Sequence, residues 1–333
     1  MAVVYIQEQG AVLRKTGERL RVTLKNTVLL DRPLINVSQV VVFGQASITA
    51  ATVQTLLEKE IEVCYLTQRG RFVGRLLPAA SKNGLLRRAQ YRAALDAEQT
   101  LALARQFVIG KLSNMRTMLL RYARKERSSA IEKAAEKMKA ALKRSRKAVR
   151  IEQLRGHEGE GSAAYFSVFN EMIEPSEFSF RTRVRRPPTD PVNALLSFGY
   201  ALLANELFSA VNIVGLDPYA GYLHADSYGR PSLPLDLMEE FRAPFIDSIV
   251  LSCLNKRMLK RADFQEEMGA VSRLTDSGLR VFLTLYEERK QAQFQHPQLK
   301  QTISYQRAFE QQARFLGKTL QGELTQYPPL MIK

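Results

Sequence analysis

Residues 154–166, LRGHEGEGSAAYF, place two glutamates and a histidine among three glycines. A carboxylate such as Glu158 can ligate a divalent cation, and the small residues around it would let a bulky ligand approach. A glutamate near a helix start is also common because it favours the helix dipole. The glycines favour a helix that begins within this segment; a helix that includes Glu158 would carry Ser162 and Tyr165 on the same face. The segment is not a zinc-protease motif, because Gly161 stands where a second histidine is needed.

A second segment, residues 215–247, combines a loop rich in Gly, Pro and Tyr with an acidic stretch. His224 lies in the loop, in YLHADSYGRPS. A helix is expected to start near Leu235, and helical spacing would place four acids on one face: Asp236, Glu239, Glu240 and Asp247. Carboxylates stacked in this way repel each other unless a metal or basic neighbours such as Arg230 and Arg242 compensate them. The pattern therefore favours either a metal site or a salt-bridged helix face.

The residue types suit one kind of cation better than others. One imidazole with two or three carboxylates is a ligand set for Mg²⁺ or Mn²⁺, whereas structural zinc prefers thiolates and more imidazoles. The chain has only three histidines, and one of them stands beside the acidic stretch. A hard cation in a strongly basic protein indicates chemistry on a phosphodiester, where a metal polarises the phosphoryl oxygen. Residue types and spacing thus indicate a metal-dependent phosphodiester enzyme.

The charge balance indicates a polyanionic partner. The 333 residues include 49 Lys and Arg against 33 Asp and Glu, which gives a formal net charge of +16. Such an excess is typical of nucleic-acid-binding proteins. Residues 100–150 form the main basic block, with leucine or alanine at helical spacing. Basic helices of this kind either follow a phosphate backbone or simply expose solvated faces.

Other locations are disfavoured by the sequence. The longest apolar runs, such as NALLSFGYALLANELF, are shorter than the roughly 20 residues that a bilayer span needs. The N-terminus lacks the basic and apolar pattern of a secretory signal, and Cys64 and Cys253 are too few and too distant for a disulfide framework. We therefore expect a cytoplasmic protein without a membrane segment and with two buried core thiols.

The elements that must position these residues fall into two regions. Residues 1 to about 80 contain short β-branched and aromatic runs, separated by turn-prone segments such as KTGER, together with one short helix. The stretch SKNG at 81–84 marks a boundary, after which helical periodicity dominates. We predict an α+β fold: a small β-rich domain at residues 1–84, followed by a larger all-helical domain at residues 85–333.

The segment GHEGEGSAAYF resembles a segment of the CRISPR-associated integrases, the adaptation endonucleases that insert new spacers into CRISPR arrays. RRPPTDPVNALLSFGYALL, residues 215–247 and RLTDSGLR resemble further segments of that family, in the same order. The resemblance covers nearly the whole chain, including the two-domain plan. It implies a metal-dependent DNA integrase and endonuclease, in which a DNA 3′ hydroxyl attacks a phosphodiester of a CRISPR repeat.

The resemblance also implies roles for single residues. The implied ligands of Mg²⁺ or Mn²⁺ are Glu158, His224 and Glu239. Asp236 and Glu240 remain alternatives for the third ligand, because they lie beside Glu239 in the sequence. Tyr165 matches an active-site tyrosine of the family.

The resemblance further implies three partners: protospacer and repeat DNA, a second copy of the chain paired through the β-rich domain, and a small adaptation protein of ferredoxin-like fold. Two functions of other classes stay open: a non-catalytic basic scaffold for nucleic acid, and a metal-dependent small-molecule phosphohydrolase. Metal-dependent strand transfer would exclude the scaffold, and a lack of DNA affinity would favour the phosphohydrolase.

Overall fold

The computed structural model describes residues 2–68, 70, 72–78, 83–185, 187–224, 227–267 and 271–332. The chain forms two compact units, residues 1–82 and residues 83–333. The first unit is rich in strands and the second is largely helical, which confirms the predicted fold class.

The described part of the N-terminal unit contains two four-stranded sheets and one α-helix. The first sheet has the strand order β1 (Ala2–Ile6), β5 (Val37–Phe43), β7 (Glu62–Leu66), β8 (Phe72–Leu76). Its first three strands are parallel, and β8 runs antiparallel to β7. The second sheet has the order β4 (Thr27–Pro33), β3 (Arg19–Leu24), β2 (Val12–Thr16), β6 (Ser47–Ile48). The helix α1 spans Ala50–Glu58.

The strand sequences explain the two sheets. In β5 the consecutive residues Val40, Val41 and Val42 are all buried, as expected for a central parallel strand that is covered on both faces. β3 instead alternates, with Leu20 and Val22 buried in the core, Arg19 before them exposed and Arg21 between them half-buried. Alternation of this kind is typical of an antiparallel strand with one solvated face.

The described part of the C-terminal unit contains nine α-helices. They are α2 (Gly84–Leu95), α3 (Ala97–Glu126), α4 (Ser129–Arg146), α5 (Ile151–Ser167), α6 (Pro191–Val214), α7 (Ser232–Met238), α8 (Ser248–Asn255), α9 (Asp276–Gln291) and α10 (Tyr305–Leu320). Two short antiparallel hairpins, which the sequence did not lead us to expect, accompany them: β9 (Phe264–Glu267) with β10 (Val271–Leu274), and β11 (Gln293–Gln295) with β12 (Thr302–Ser304). A π-helical turn, Arg242–Asp247, leads directly into α8.

Helix α5 begins earlier than its glycines suggested. The expectation of a start within HEGEG was wrong, because the helix already begins at Ile151 and continues through all three glycines. A Cβ on Gly161 would lie only 2.5 Å from Cδ2 of Leu112 on α3. Close packing against α3 therefore requires a glycine at that position, and it stabilises a helix of poor intrinsic propensity.

Helix α6 forms much of the core of the C-terminal unit. Within the described residues it is the single helix long and apolar enough to cross a membrane by length and composition, but most of it is buried inside the unit. Asp190 caps its first turn by accepting a hydrogen bond from Asn193 N at 2.8 Å, with Pro191 at the first helical position. Burial and capping together mark α6 as the core helix of a globular unit.

Candidate active site

Three segments of the C-terminal unit bring two of the predicted ligands together. Glu158 lies on α5, and Glu239 directly follows α7. Lys111 of α3 lies between them, with its Nζ in contact with Oε1 of Glu158 and 2.7 Å from Oε2 of Glu239. Only 6% of the Lys111 side chain and 4% of the Glu239 side chain are exposed, against 24% for Glu158. Glu239 is therefore shielded from solvent, whereas Glu158 is partly exposed to it.

His224 is held by Asp236. Nδ1 of His224 lies 2.7 Å from Oδ1 of Asp236, and the same oxygen accepts the His224 backbone N–H at 3.0 Å. The other carboxylate oxygen accepts the N–H groups of Tyr222 at 2.6 Å and Leu223 at 3.0 Å. The imidazole Nε2 lies 3.8 Å from Oε1 of Glu239. Asp236 thus favours the proton on Nδ1 and leaves Nε2 free to bind a cation, as in histidine ligands that carry a carboxylate behind them.

Helix α5 is tied to the loop that carries His224. Arg155 lies one turn before Glu158, and its Nε and Nη2 donate to the carbonyl oxygen of Leu223 at 2.9 and 2.6 Å. The residue that accepts these bonds immediately precedes His224 in the chain. Arg155 therefore fixes the spacing between the helix of one predicted ligand and the loop of another.

Glu239 is kept ionised by its neighbours. Burial alone would raise the pKa of Glu239, but the charges of Arg242 and Lys111 outweigh burial and hold that pKa below its usual value. Nη2 of Arg242 lies 3.0 Å from Oε1 of Glu239. A buried, charged carboxylate with several cationic partners is a group that a metal ion could use.

Glu240 has a different environment. Its Oε1 accepts hydrogen bonds from the Tyr327 hydroxyl at 2.5 Å and Gln312 Nε2 at 2.9 Å, and its Oε2 accepts the Leu330 N–H at 2.6 Å. Burial raises the pKa of Glu240 to about 7, although these hydrogen bonds lower it in part. Glu240 therefore anchors the C-terminal segment through these hydrogen bonds.

Tyr165 and Asp247 form a third environment. The Tyr165 hydroxyl donates to Oδ2 of Asp247 at 2.9 Å, and the Tyr200 hydroxyl donates to Oδ1 at 2.5 Å. Sδ of Met118 lies 2.9 Å from the Tyr165 hydroxyl. Tyr165 and Asp247 are fully buried. The structure therefore places Tyr165 in the interior, although it shares a helix with Glu158.

The expected single acidic face was wrong. Helix α7 ends at Met238, and the chain continues as a turn and then as the π-helical turn Arg242–Asp247. Asp236 and Glu239 lie on either side of His224, whereas Glu240 contacts Tyr327 and Asp247 contacts Tyr165. Of these acids, Glu239 is the one that faces Lys111.

The donor set fits a divalent cation by its chemistry. As placed, no group of three His, Cys, Asp or Glu side chains in the described ranges is close enough to hold a metal ion. However, Oε2 of Glu239 is buried and accepts no aligned hydrogen bond within the described part of the chain, although Lys111 Nζ is near it. Two carboxylates and an imidazole with a free Nε2 are ligands that Mg²⁺ and Mn²⁺ accept.

A strongly basic chain that holds two carboxylates near an imidazole is typical of enzymes that act on nucleic-acid phosphodiesters. Comparison with known proteins specifies the family. Residues 4–288 match the family model described as CRISPR associated protein Cas1. The chain is 41% identical over 335 residues to CRISPR-associated endonuclease Cas1 3 of Thermus thermophilus, with 100% of the chain and 98% of that relative covered. It is 38% identical to CRISPR-associated endonuclease Cas1 1 of Chlorobaculum tepidum, with 98% and 97% covered.

The chain therefore belongs to the Cas1 family. Its structure is similar to that of a CAS1 protein from Thermotoga maritima, with a TM-score of 0.82, 25% identity and 96% and 97% of the two chains covered. It has the same fold as a casposase bound to an integration product, with a TM-score of 0.87, 21% identity and 100% and 95% covered. The family match and the curated relatives confirm the predicted family and the predicted enzyme class, a CRISPR-associated endonuclease.

Proposed function

We propose that this enzyme joins a captured DNA fragment to a CRISPR repeat at the site formed by Glu158, His224 and Glu239. The observation that carries the proposal is the buried, ionised Glu239 with Glu158 and the free Nε2 of His224 near it, in a strongly basic chain. A non-catalytic scaffold would not need a buried, ionised carboxylate, and a small-molecule phosphohydrolase would not explain the relationship to the Cas1 family. Both alternative functions are therefore disfavoured.

The three side chains would hold one Mg²⁺ or Mn²⁺ ion. When bound, the cation would polarise a phosphoryl oxygen and stabilise the charge that develops on it. Asp236 keeps the Nδ1 proton of His224 in place, and Arg155 fixes the loop relative to α5. Arg242 keeps Glu239 ionised.

The basic block supplies a surface for the DNA backbone. In α4, Ile131, Ala135 and Met138 are buried, while three neighbouring lysines are exposed: Lys133, Lys137 and Lys139. One face of this helix thus packs inward and the other carries positive charge. Contacts of this kind hold phosphates without regard to sequence, which suits a protein that captures fragments of varied sequence.

We further propose that two copies pair through the β-rich unit, 1–84 in our sequence prediction, and that the dimer acts in the cytoplasm with a small second protein of ferredoxin-like fold. Exposed apolar side chains on β4 and β8 support the pairing: Val28, Leu29, Phe72 and Val73. A structure of similar fold contains Cas1 together with Cas2, at 22% identity and a TM-score of 0.81. Sedimentation should give twice the 37.7 kDa mass of the chain.

The joining reaction tests the proposed function. The full chain, with Mn²⁺, a repeat-containing plasmid and the second protein where it is required, should join a labelled fragment that ends in a 3′ hydroxyl. The same fragment ending in a dideoxynucleotide should not be joined, because the nucleophile is missing. Glu158→Gln should abolish joining at a temperature where the variant is still folded. Glu160→Gln is the matched control and should retain joining, because that side chain is exposed and pairs at the surface with Arg144 at 2.5 Å.

One result would show a plain nuclease instead. If the plasmid is nicked equally with either fragment end and the label never becomes joined, water is the nucleophile and the integrase proposal fails. Full joining by Glu158→Gln would instead remove Glu158 from the site.

A further inference from the structure

The Lys111 ammonium lies where a cation shared by Glu158 and Glu239 would have to bind. Its Nζ contacts Oε1 of Glu158 and lies 2.7 Å from Oε2 of Glu239. A divalent cation that bound these same two oxygens would lie within a few ångströms of the ammonium. Two positive charges at that separation repel strongly where little water is present. The lysine and the metal therefore compete for one place.

The backbone that carries Lys111 is fixed. A Cβ on the preceding Gly110 would lie 3.0 Å from Cβ of Glu240 and 3.1 Å from Cβ of Pro329. One turn later, Asn114 Nδ2 donates to the carbonyl oxygens of Glu240 at 2.7 Å and Leu330 at 2.8 Å. Helix α3 therefore has little room to shift here, and the flexible Lys111 side chain is the part that can withdraw.

Lys111 also stabilises the site without a metal. Glu239 is buried and lies near a second carboxylate, and two negative charges at close range repel each other unless a positive charge lies between them. The ammonium holds the two carboxylates close together through its contacts with Oε1 of Glu158 and Oε2 of Glu239, in an arrangement that a divalent cation could take over. The same contact must be broken when the cation binds both oxygens.

We propose that Lys111 is an internal competitor for the divalent cation: it pairs Glu158 with Glu239 in the metal-free protein and leaves at least one of them when the cation binds. The proposal rests on the proposed metal site. It makes Lys111 a positioning residue that sets the metal affinity and preserves the site between reactions. Removal of the ammonium should make the metal-free protein less stable and the cation bind more tightly.

The chain contains a matched control for this substitution. Lys290 of α9 is fully buried, and its Nζ lies 2.8 Å from Oε1 of Glu206 and 2.6 Å from Oε1 of Glu287. Lys290 thus also bridges two carboxylates, but none of the proposed ligands belongs to its cluster. Lys290→Met removes the same charge at the same depth. Any change in metal affinity in Lys290→Met would therefore come from lost stability and not from the proposed metal site.

The experiment measures Mn²⁺ affinity by electron paramagnetic resonance for the full-length wild type, Lys111→Met, Lys290→Met and Glu158→Gln. Unfolding temperatures are measured in chelator and in saturating Mn²⁺. Lys111→Met should bind Mn²⁺ at least about tenfold more tightly than the wild type, which corresponds to about 1.4 kcal/mol. It should melt lower in chelator and gain more from Mn²⁺ than the wild type. Lys290→Met should also melt lower, with unchanged Mn²⁺ affinity.

Equal or weaker Mn²⁺ binding by Lys111→Met would overturn the proposal, because Lys111 would then support the bound cation. Lys111→Gln, which can still hydrogen-bond both carboxylates, serves if the methionine variant does not fold, and it should also bind more tightly. If the wild type binds Mn²⁺ and Glu158→Gln does not, the metal site is supported, and unchanged affinity in Lys111→Met would then contradict only the competition by Lys111. If neither protein binds Mn²⁺, the proposed metal site and the competition both fail.

Discussion

Glu239 and Asp247 are buried carboxylates on one stretch of chain, yet their surroundings are opposite. Positive groups surround Glu239 and hold its pKa below the usual value, in spite of burial. Asp247 accepts hydrogen bonds from two tyrosine hydroxyls, and burial raises its pKa to about 6. Arg242 stands between the two, with Nη2 3.0 Å from Glu239 and its guanidinium carbon 4.5 Å from the centre of the Tyr200 ring.

This difference in surroundings indicates a catalytic role for one carboxylate and a structural role for the other. A carboxylate that is paired with a flexible cationic side chain can bind a metal ion instead, because the metal supplies the positive charge that the side chain takes away when it withdraws. A carboxylate held by buried hydroxyls cannot do so without leaving those hydroxyls unpaired, which costs free energy. We therefore expect that Glu239 takes part in the reaction and that Asp247 holds α5 and α6 together.

The largest expected effect concerns the choice of the third ligand. Glu239→Gln should abolish joining, because the amide cannot replace a charged ligand. Asp236→Asn should keep the ligand set but loosen His224, with a loss of roughly 10- to 100-fold in Mn²⁺ affinity. Glu240→Gln should retain joining, because Glu240 contacts the C-terminal segment instead.

Joining rates and Mn²⁺ titrations of the three variants test this order directly. Wild-type joining by Glu239→Gln, together with loss of joining in folded Glu240→Gln, would exchange the roles of the two neighbours. Unfolding temperatures separate a lost ligand from a lost fold, since Glu240 is also part of the packing of the C-terminal segment.

Much of the fold could be predicted from the sequence, because its signals are local. The apolar run of β5 and the alternation of β3 each indicate a strand and the faces it buries. The start of α5 could not be predicted, because the glycine at 161 is favoured by contact with Leu112 of another helix. Local propensity is overridden there by tertiary packing.

The site could be predicted from the sequence only in part, because contacts between distant segments also determine it. Glu158, His224 and Glu239 were named from motifs, but their ammonium partner was not. Lys111 stands in QFVIGKLSNM, where Phe107, Val108 and Leu112 are buried. A lysine within such an apolar stretch is a signal that could have been used. Its partners come from distant segments, so the sequence alone could not identify them.

The next largest effect is a dependence of stability on pH. The pKa of Asp247 is about 6 in the folded protein, above its ordinary value of 3.8. Between these values the folded state keeps a proton that the unfolded state has released, so stability falls as pH rises and the loss is complete above about pH 6. Asp247→Asn cannot ionise and should lack this loss.

Urea unfolding at pH 4.5 and pH 7 measures the effect. The difference in unfolding free energy between Asp247→Asn and the wild type should move in favour of the variant by about 2 kcal/mol from the lower to the higher pH. Because any cost of the new amide is the same at both pH values, the change between them isolates the ionisation. A difference that does not vary with pH would show that Asp247 ionises near its ordinary pKa.

The smallest effect decides the role of Tyr165. Tyr165→Phe removes one hydroxyl donor from buried Asp247, which should lower the free energy of unfolding by about 1 to 2 kcal/mol. Joining at a temperature where the variant is folded should stay within a few-fold of the wild type, because the hydroxyl is buried and faces Asp247 and Met118. Tyr200→Phe, which removes the other donor to the same carboxylate, is the matched control and should behave alike. If Tyr165→Phe instead loses joining while its stability is unchanged and Tyr200→Phe keeps joining, the Tyr165 hydroxyl acts in the reaction. Tyr165 would then belong to the catalytic site with Glu239 and not to the structural cluster around Asp247.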